Sequence, residues 1–344
     1  MRWTAKRFPE ANFSTIAGER IVCSLCPRYC RLKEGQIGYC GVRGVSGGKL
    51  LSLAYGRPTG FAIDPMEKKP LYHFLPGAPI LSLGTLGCNM GCKFCQNHHS
   101  SKRKGTDFHL TTEATPEEVV ALAKSRNVPA IAFTYNEPII WAEYMMDIAS
   151  LAKREEIRTV AVTAGYVTES AREKVFADIE AANVDLKAFT EEFYRKFAAA
   201  KLKLVLDTLR WMRNKTSIWL EVTNLVIPTL NDDESELKEL CKFIRDELGD
   251  FTPLHFSAFH PAYEMMNYQA TPPKTLEKAY GIAKSEGLKY VYIGNVHTEG
   301  GKDTACPSCK KRVIEREWFR VIKLKVKDGK CEFCGGKIEG VFAK

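Results

Sequence analysis

Glutamine is nearly missing from this chain: only Gln36, Gln96 and Gln269 occur. Scarcity of thermolabile amides fits a protein that works hot. Long apolar runs are missing too. No stretch of about 18 apolar residues appears, so no membrane-spanning helix is expected. The opening Met1-Arg2-Trp3-Thr4-Ala5-Lys6-Arg7 is followed by no apolar segment of the secretory kind. A cytoplasmic protein, with no membrane partner, is therefore expected. No long basic block interleaved with aromatics occurs either. The formal net charge of +9 thus gives no case for nucleic acid. Metal-bound thiols are deprotonated, so filling the three cysteine clusters described next would lower that charge by about five.

Cysteine is what the chain has in quantity, twelve of them, in a composition that is 45% apolar and 26% charged. Such a composition supports a folded core. Eleven cysteines fall in three clusters and only Cys241 stands alone, in a helical pattern, as an ordinary buried thiol. Close C-x2-C pairs without a signal sequence read as metal sites in a reducing compartment, not as disulfides. Three regions follow: an N-terminal four-cysteine module over 1–77, a central domain over 78–300 and a C-terminal ribbon over 301–344.

The central cluster is Gly87-Cys88-Asn89-Met90-Gly91-Cys92-Lys93-Phe94-Cys95-Gln96-Asn97. Its spacing is C-x3-C-x2-C, with no fourth cysteine nearby. A structural zinc or an electron-transfer cluster takes four protein ligands. Three thiolates hold three irons of a cubane [4Fe–4S] cluster and leave the fourth iron open to a substrate or cosubstrate. Gly87 and Gly91 let the loop wrap closely, and Phe94 can shield the sulfurs. The alternatives are a mobile loop of reactive thiols, or a zinc site completed by His98 or His99.

Cys23, Cys26, Cys30 and Cys40, at C-x2-C-x3-C-x9-C, can close a tetrahedral site. A structural zinc is the first choice there and an auxiliary iron–sulfur cluster the second, since four thiolates satisfy either. The run from Ile63 to Gly77 is expected to be a loop laid over the main domain, with His73 a packed surface histidine. Near the C-terminus, Cys306, Cys309, Cys331 and Cys334 form two knuckles around an alternating segment, which reads as a zinc ribbon.

Between these modules apolar runs alternate with helical patterns, which argues a parallel βα architecture. Strands are expected at 80–86, 130–135, 158–163, 182–187, 218–226, 253–258 and 290–293. Helices are expected at 116–124, 139–154, 169–176, 202–211, 234–247 and 273–285. Thr115-Pro116-Glu117-Glu118 is a helix start. The fold class is thus α/β, a partial or nearly closed (β/α) barrel, and its chemistry belongs at the C-terminal ends of the strands. Those ends carry Asn136 and Glu137 before Pro138, the pair Asp185 and Lys187 on one strand face, His255 and His260, and Asn295. Asn136 or Glu137 could equally be only a helix cap. Asp185 and Lys187 would pair in a polar pocket, because unpaired charge is costly inside. Asn295, after Gly294, could hydrogen-bond a ligand or be part of a simple turn.

The Cys88–Cys95 loop resembles the signature of the radical S-adenosylmethionine (SAM) superfamily. That resemblance implies a [4Fe–4S] cluster, chelation of SAM by the open iron, and one-electron cleavage of SAM to a 5′-deoxyadenosyl radical that abstracts hydrogen. It implies a low-potential donor such as ferredoxin or flavodoxin. Thr134-Tyr135-Asn136-Glu137-Pro138 is similar to the turn that binds the SAM amino group. Val162-Thr163-Ala164-Gly165 is similar to a Thr-Asn-Gly turn, which brings in Thr163. Asp185-Leu186-Lys187 resembles a sequence in activases of glycyl-radical enzymes that contacts the methionine moiety, and His260 the histidine near the ribose. Those activases have arginine near Glu221 and glycine near Thr229, where this chain differs. The whole chain resembles the AmmeMemoRadiSam-system enzymes, which are pyruvate formate-lyase activating enzyme-like. This implies AMMECR-type and Memo-type proteins as partners. Three functions follow in order: radical chemistry on a small or cofactor-like substrate, activation of a glycyl-radical enzyme, or a non-catalytic zinc-rich binding protein.

Overall fold

A computed structural model describes residues 7–343. Residues 1–6, part of the stretch read above for a secretory signal, lie outside the described residues. Eight strands form the main sheet. They are β1 (Phe61–Pro65), β2 (Pro79–Leu83), β3 (Ala130–Phe133), β4 (Arg158–Thr163), β5 (Ala181–Asp185), β6 (Trp219–Val226), β7 (Leu254–Ala258) and β8 (Val291–Gly294). They lie side by side in chain order. β2 to β8 are parallel throughout, and β1 is antiparallel to β2. β3 is buried at all four residues. A strand covered on both faces reads as continuous apolar sequence in this way.

Helices cross between the strands. Pro116–Ser125 begins with a full capping box: Glu118 N donates to Thr115 Oγ1 at 3.3 Å, and Thr115 N to the Glu118 carboxylate at 2.7 Å. Loop or end residues from β2 through β8 line one cavity. The sheet therefore curls, but among the described residues β1 and β8 do not pair, so the barrel is partial.

Three expectations need correction. Ile63–Pro65 is not loop but the end of β1, and the sheet starts at Phe61. Proline was read as a loop marker, yet at a sheet edge it forfeits no ladder bond. His73 is not at the surface; it is fully buried. An additional helical segment, Glu191–Phe193 continued by Tyr194–Ala198, starts at Thr190, whose hydroxyl accepts from Phe193 N at 3.3 Å. Several strands also end earlier than read, because the chain leaves the sheet there to build the open end.

The opposite end is closed by a buried polar network. Glu221 accepts from Tyr72 N (3.0 Å), His73 N (2.8 Å) and Trp219 Nε1 (3.0 Å), and pairs with His255 Nε2 at 2.6 Å. These contacts tie the 66–77 strap to β6 and β7. Arg316 of the C-terminal segment reaches the same strap, donating to Tyr72 O at 2.7 Å and lying 3.4 Å from buried Glu67. His73 meets Glu339 O and the Tyr292 hydroxyl, each at 2.6 Å. At the other flank, Arg43 of the N-terminal module forms a buried two-pronged pair with Glu143, at 2.8 and 3.0 Å. Both appended modules are thus locked to the barrel by buried charge.

Arg316→Ala would leave Glu67 buried and unpaired. It should cost about 3–5 kcal/mol in urea denaturation, and a loss below about 1 kcal/mol would contradict the clamp. Burial pushes His73 down to about 4. The unfolded chain takes up this proton near pH 6.5 and the folded chain only near 4. Stability should therefore fall as pH drops through that window, by at most about 1.4 kcal/mol per pH unit. Denaturation midpoints at pH 7 and 5 should differ less in His73→Gln than in the native chain.

Candidate active site at the open end of the barrel

The cysteine loop follows β2, and its backbone is pinned from three sides. Gly91 N donates to Ala198 O and Lys93 N to Phe197 O, both at 2.8 Å, so the helical turn at 191–198 holds its middle. Cys88 N donates to Cys40 O at 3.2 Å, so the N-terminal module holds its start. Gly87 has φ +84°, and a Cβ there would lie 2.1 Å from that same Cys40 carbonyl. Only glycine allows both the backbone angle and the approach. Asn136, from the end of β3, is the third hold. Its amide donates to Thr85 Oγ1 (3.1 Å), Leu86 O (3.3 Å) and Gly87 O (2.9 Å), and its carbonyl accepts from Thr85 N (3.2 Å) and Trp141 Nε1 (3.2 Å).

Cys88, Cys92 and Cys95 all line one cavity of about 310 Å³. That is at the lower end for small-molecule sites, about 300–1,000 Å³. Phe94, buried and tilted against Phe193 at 5.7 Å, forms part of the wall. Glu137, Thr163, Asp185, Lys187 and Asn295 line the same space. The sequence-derived set is therefore brought together, with one exception. His260 does not line the cavity; it is exposed, with Nε2 3.3 Å from Asn295 O. Asn136 lines it, but with its amide engaged in holding the loop.

Glu137 is the best-buried acid in this wall. Its carboxylate accepts from Thr163 Oγ1 (2.5 Å), Ala164 N (2.7 Å) and Ile139 N (3.3 Å). The last contact is the expected helix cap. Burial pushes its pKa up to about 7 despite these donors. Lys187 Nζ lies 2.8 Å from Asp185. Burial, the largest single effect, opposes the lysine charge, but Asp185 together with Cys92 and Tyr194 holds the pKa above the usual value. Thr223 was passed over in the sequence. Its hydroxyl is buried, has no hydrogen-bond partner and borders the cavity. The period-2 pattern of β6 could have found it: Thr223 shares a strand face with Leu225, which also lines the site. Glu221 lies on that face too, two residues deeper, and belongs to the base network and not to the cavity.

Cys306, Cys309, Cys331 and Cys334 form a second gathering. Sulfur pairs lie 3.7 and 3.8 Å apart, and all four sulfurs are within 4.8 Å of one another. Zn–S bonds of about 2.3 Å in a tetrahedron put sulfurs about 3.8 Å apart. The C-terminal set can thus hold one ion.

Residues 83–244 match the family described as the Radical SAM superfamily. The chain carries a radical SAM domain over residues 83–244. It is 41% identical over 329 residues to uncharacterized protein MJ0808 of Methanocaldococcus jannaschii, covering 95% of this chain and 97% of that protein. Pyruvate formate-lyase 1-activating enzyme of Escherichia coli K12 is 24% identical over 221 residues, 60% of this chain and 89% of that enzyme. Among solved structures, a radical SAM methyltransferase from Sphaerobacter thermophilus shares the fold, with TM-score 0.51 and 17% identity over 65% of this chain and 68% of that chain. The superfamily implies a [4Fe–4S] cluster and SAM. The donor set fits: three thiols on one wall, and an unpartnered Thr223 hydroxyl with the Asp185–Lys187 pair on the others.

Asn136→Ala removes the amide that holds 85–87 to β3. It should lower stability by about 1–3 kcal/mol and reduce iron incorporation on reconstitution. Unchanged melting and iron content would show the loop to be self-supporting.

Proposed function

We propose that SAM is cleaved in this cavity, beside a [4Fe–4S] cluster held by Cys88, Cys92 and Cys95, and that the resulting radical abstracts hydrogen from a small or cofactor-like substrate. One observation carries the reading: three cysteines and a ring of buried or half-buried polar side chains border a single space of about 310 Å³. When bound, the cluster supplies the one electron that splits SAM into methionine and a 5′-deoxyadenosyl radical. The chain's residues do the rest. Glu137, fixed by Thr163 Oγ1 and Ala164 N, receives the amino group of SAM. Asp185 and Lys187 contact its methionine end as a neutral pair. Thr223 offers the free hydroxyl, and Asn295 stands at the adenine or substrate side. Phe94 and Met90 exclude water near the sulfurs. Holding both ends of a cosubstrate lowers the entropic cost of bringing the reacting atoms together.

Activation of a glycyl-radical protein is the second reading. It is favoured by the 24% identity to an enzyme named as a pyruvate formate-lyase activator. The buried position of Glu221, near which related activases have arginine, weighs against it. The C-terminal cysteines are read as a structural zinc site. The partners carried by the resemblance are a ferredoxin or flavodoxin as donor, with AMMECR-type and Memo-type companions.

Anaerobically reconstituted protein, given SAM and a low-potential reductant, should form 5′-deoxyadenosine, and Cys88→Ala should form none above background. Equal product from both proteins would remove Cys88 from the cluster. No product from a chain that carries zinc but no iron would favour a binding protein instead.

A further inference from the structure

Cys23, Cys26, Cys30 and Cys40 were open to zinc or to an iron–sulfur cluster on sequence grounds. The two demand different sulfur spacing. One zinc ion draws four sulfurs to about 3.8 Å from one another. In a cubane each thiolate binds a different iron, so the thiolates stand further apart than ligands that share one ion. The C-terminal cysteines have the first geometry. Among the described residues they are also the only set of three or more such ligands whose atoms all lie within 4.8 Å of one another. The N-terminal four do not gather in that way. Instead, all four border one small cavity, together with Leu25, Leu32 and Arg43. Arg43 is 2% exposed, and its Nε has no hydrogen-bond partner although the rest of the guanidinium is engaged by Glu143 and Asn12 O. A buried, unpartnered N–H beside a space ringed by thiols is a donor awaiting an electron-rich acceptor. Tyr39 N already points at Cys30 Sγ, at 3.4 Å.

We infer that Cys23, Cys26, Cys30 and Cys40 hold a second iron–sulfur cluster, of the four-iron type, and not zinc. Zinc in this position would be redox-silent. A cluster here lies one backbone hydrogen bond from the catalytic loop, because Cys40 O accepts from Cys88 N at 3.2 Å. Cys40 and Cys88 also border one shared surface cleft. An electron on the second cluster has a through-bond path from the Cys40 side chain, across that hydrogen bond, to the Cys88 thiolate. The electron itself comes from a one-electron, low-potential donor protein.

Metal and sulfide content of anaerobically reconstituted protein tests the assignment independently of SAM chemistry. The native chain should hold about eight irons, about eight sulfides and about one zinc. The triple variant Cys88→Ala/Cys92→Ala/Cys95→Ala, which deletes the proposed SAM site, should keep about four irons and the visible absorption and Mössbauer doublet of a cubane. Adding Cys26→Ser and Cys40→Ser to it should remove that remaining iron and leave the zinc. A native chain with about four irons and two zincs, or a folded triple variant with no iron, overturns the inference. If the variants do not fold, the native iron-to-zinc ratio still decides: near eight to one supports it, and near four to two or four to one overturns it.

Discussion

A curled parallel sheet has two ends, and both expose strand ends whose backbone needs partners. For one end to remain an open cavity, the other must be sealed. Here the seal is one buried carboxylate. Glu221 takes four donors, from Tyr72, His73, Trp219 and His255. A lone buried charge would be costly, and the donors offset that cost. They come from two strands and from the 66–77 strap, so satisfying the charge also fastens the strap. The C-terminal tail then pairs with it, through Leu75 N to Val341 O and Val341 N to His73 O, both at 2.7 Å. The C-terminal segment therefore caps the base, away from the cavity.

At the open end the same logic is applied to a loop. Residues 84–97 have no regular structure of their own through the cysteines. Their backbone groups are taken up by Asn136, by the carbonyls of Phe197 and Ala198, and by Cys40. A loop held on three sides can present three sulfurs to one cavity without rearranging when a ligand arrives. The N-terminal segment thus helps to hold the cysteine loop. Arg28 extends this hold, donating to Asn89 O at 2.9 Å and to Ala199 O.

The three cysteine sets divide the work by spacing. The C-terminal sulfurs are close enough for one ion. The other two sets are not, and they adjoin each other through Cys40 and Cys88. The set that can hold one ion and the two sets that adjoin each other thus fall at opposite ends of the barrel.

Much of this was legible in the sequence. Cysteine spacing is local, so the three sets could be read directly. The capping box at Thr115 and the alternation of strands and helices are local as well, and both hold. So does the Asp185–Lys187 pair, since residues two apart on a strand share a face. What failed was whatever depends on neighbours far along the chain. His73 was read as a surface residue because nothing adjacent announces Glu221, Tyr292 and Glu339. That Asn136 also holds the cysteine loop was not legible, because Thr85, Leu86 and Gly87 lie about fifty residues earlier. His260 fell outside the cavity that Thr223 entered. Above all, sequence alone could not choose the metal at Cys23, Cys26, Cys30 and Cys40. Four thiols at short spacing satisfy zinc or iron, and the inference of iron draws on their arrangement around one buried space, which the sequence does not show.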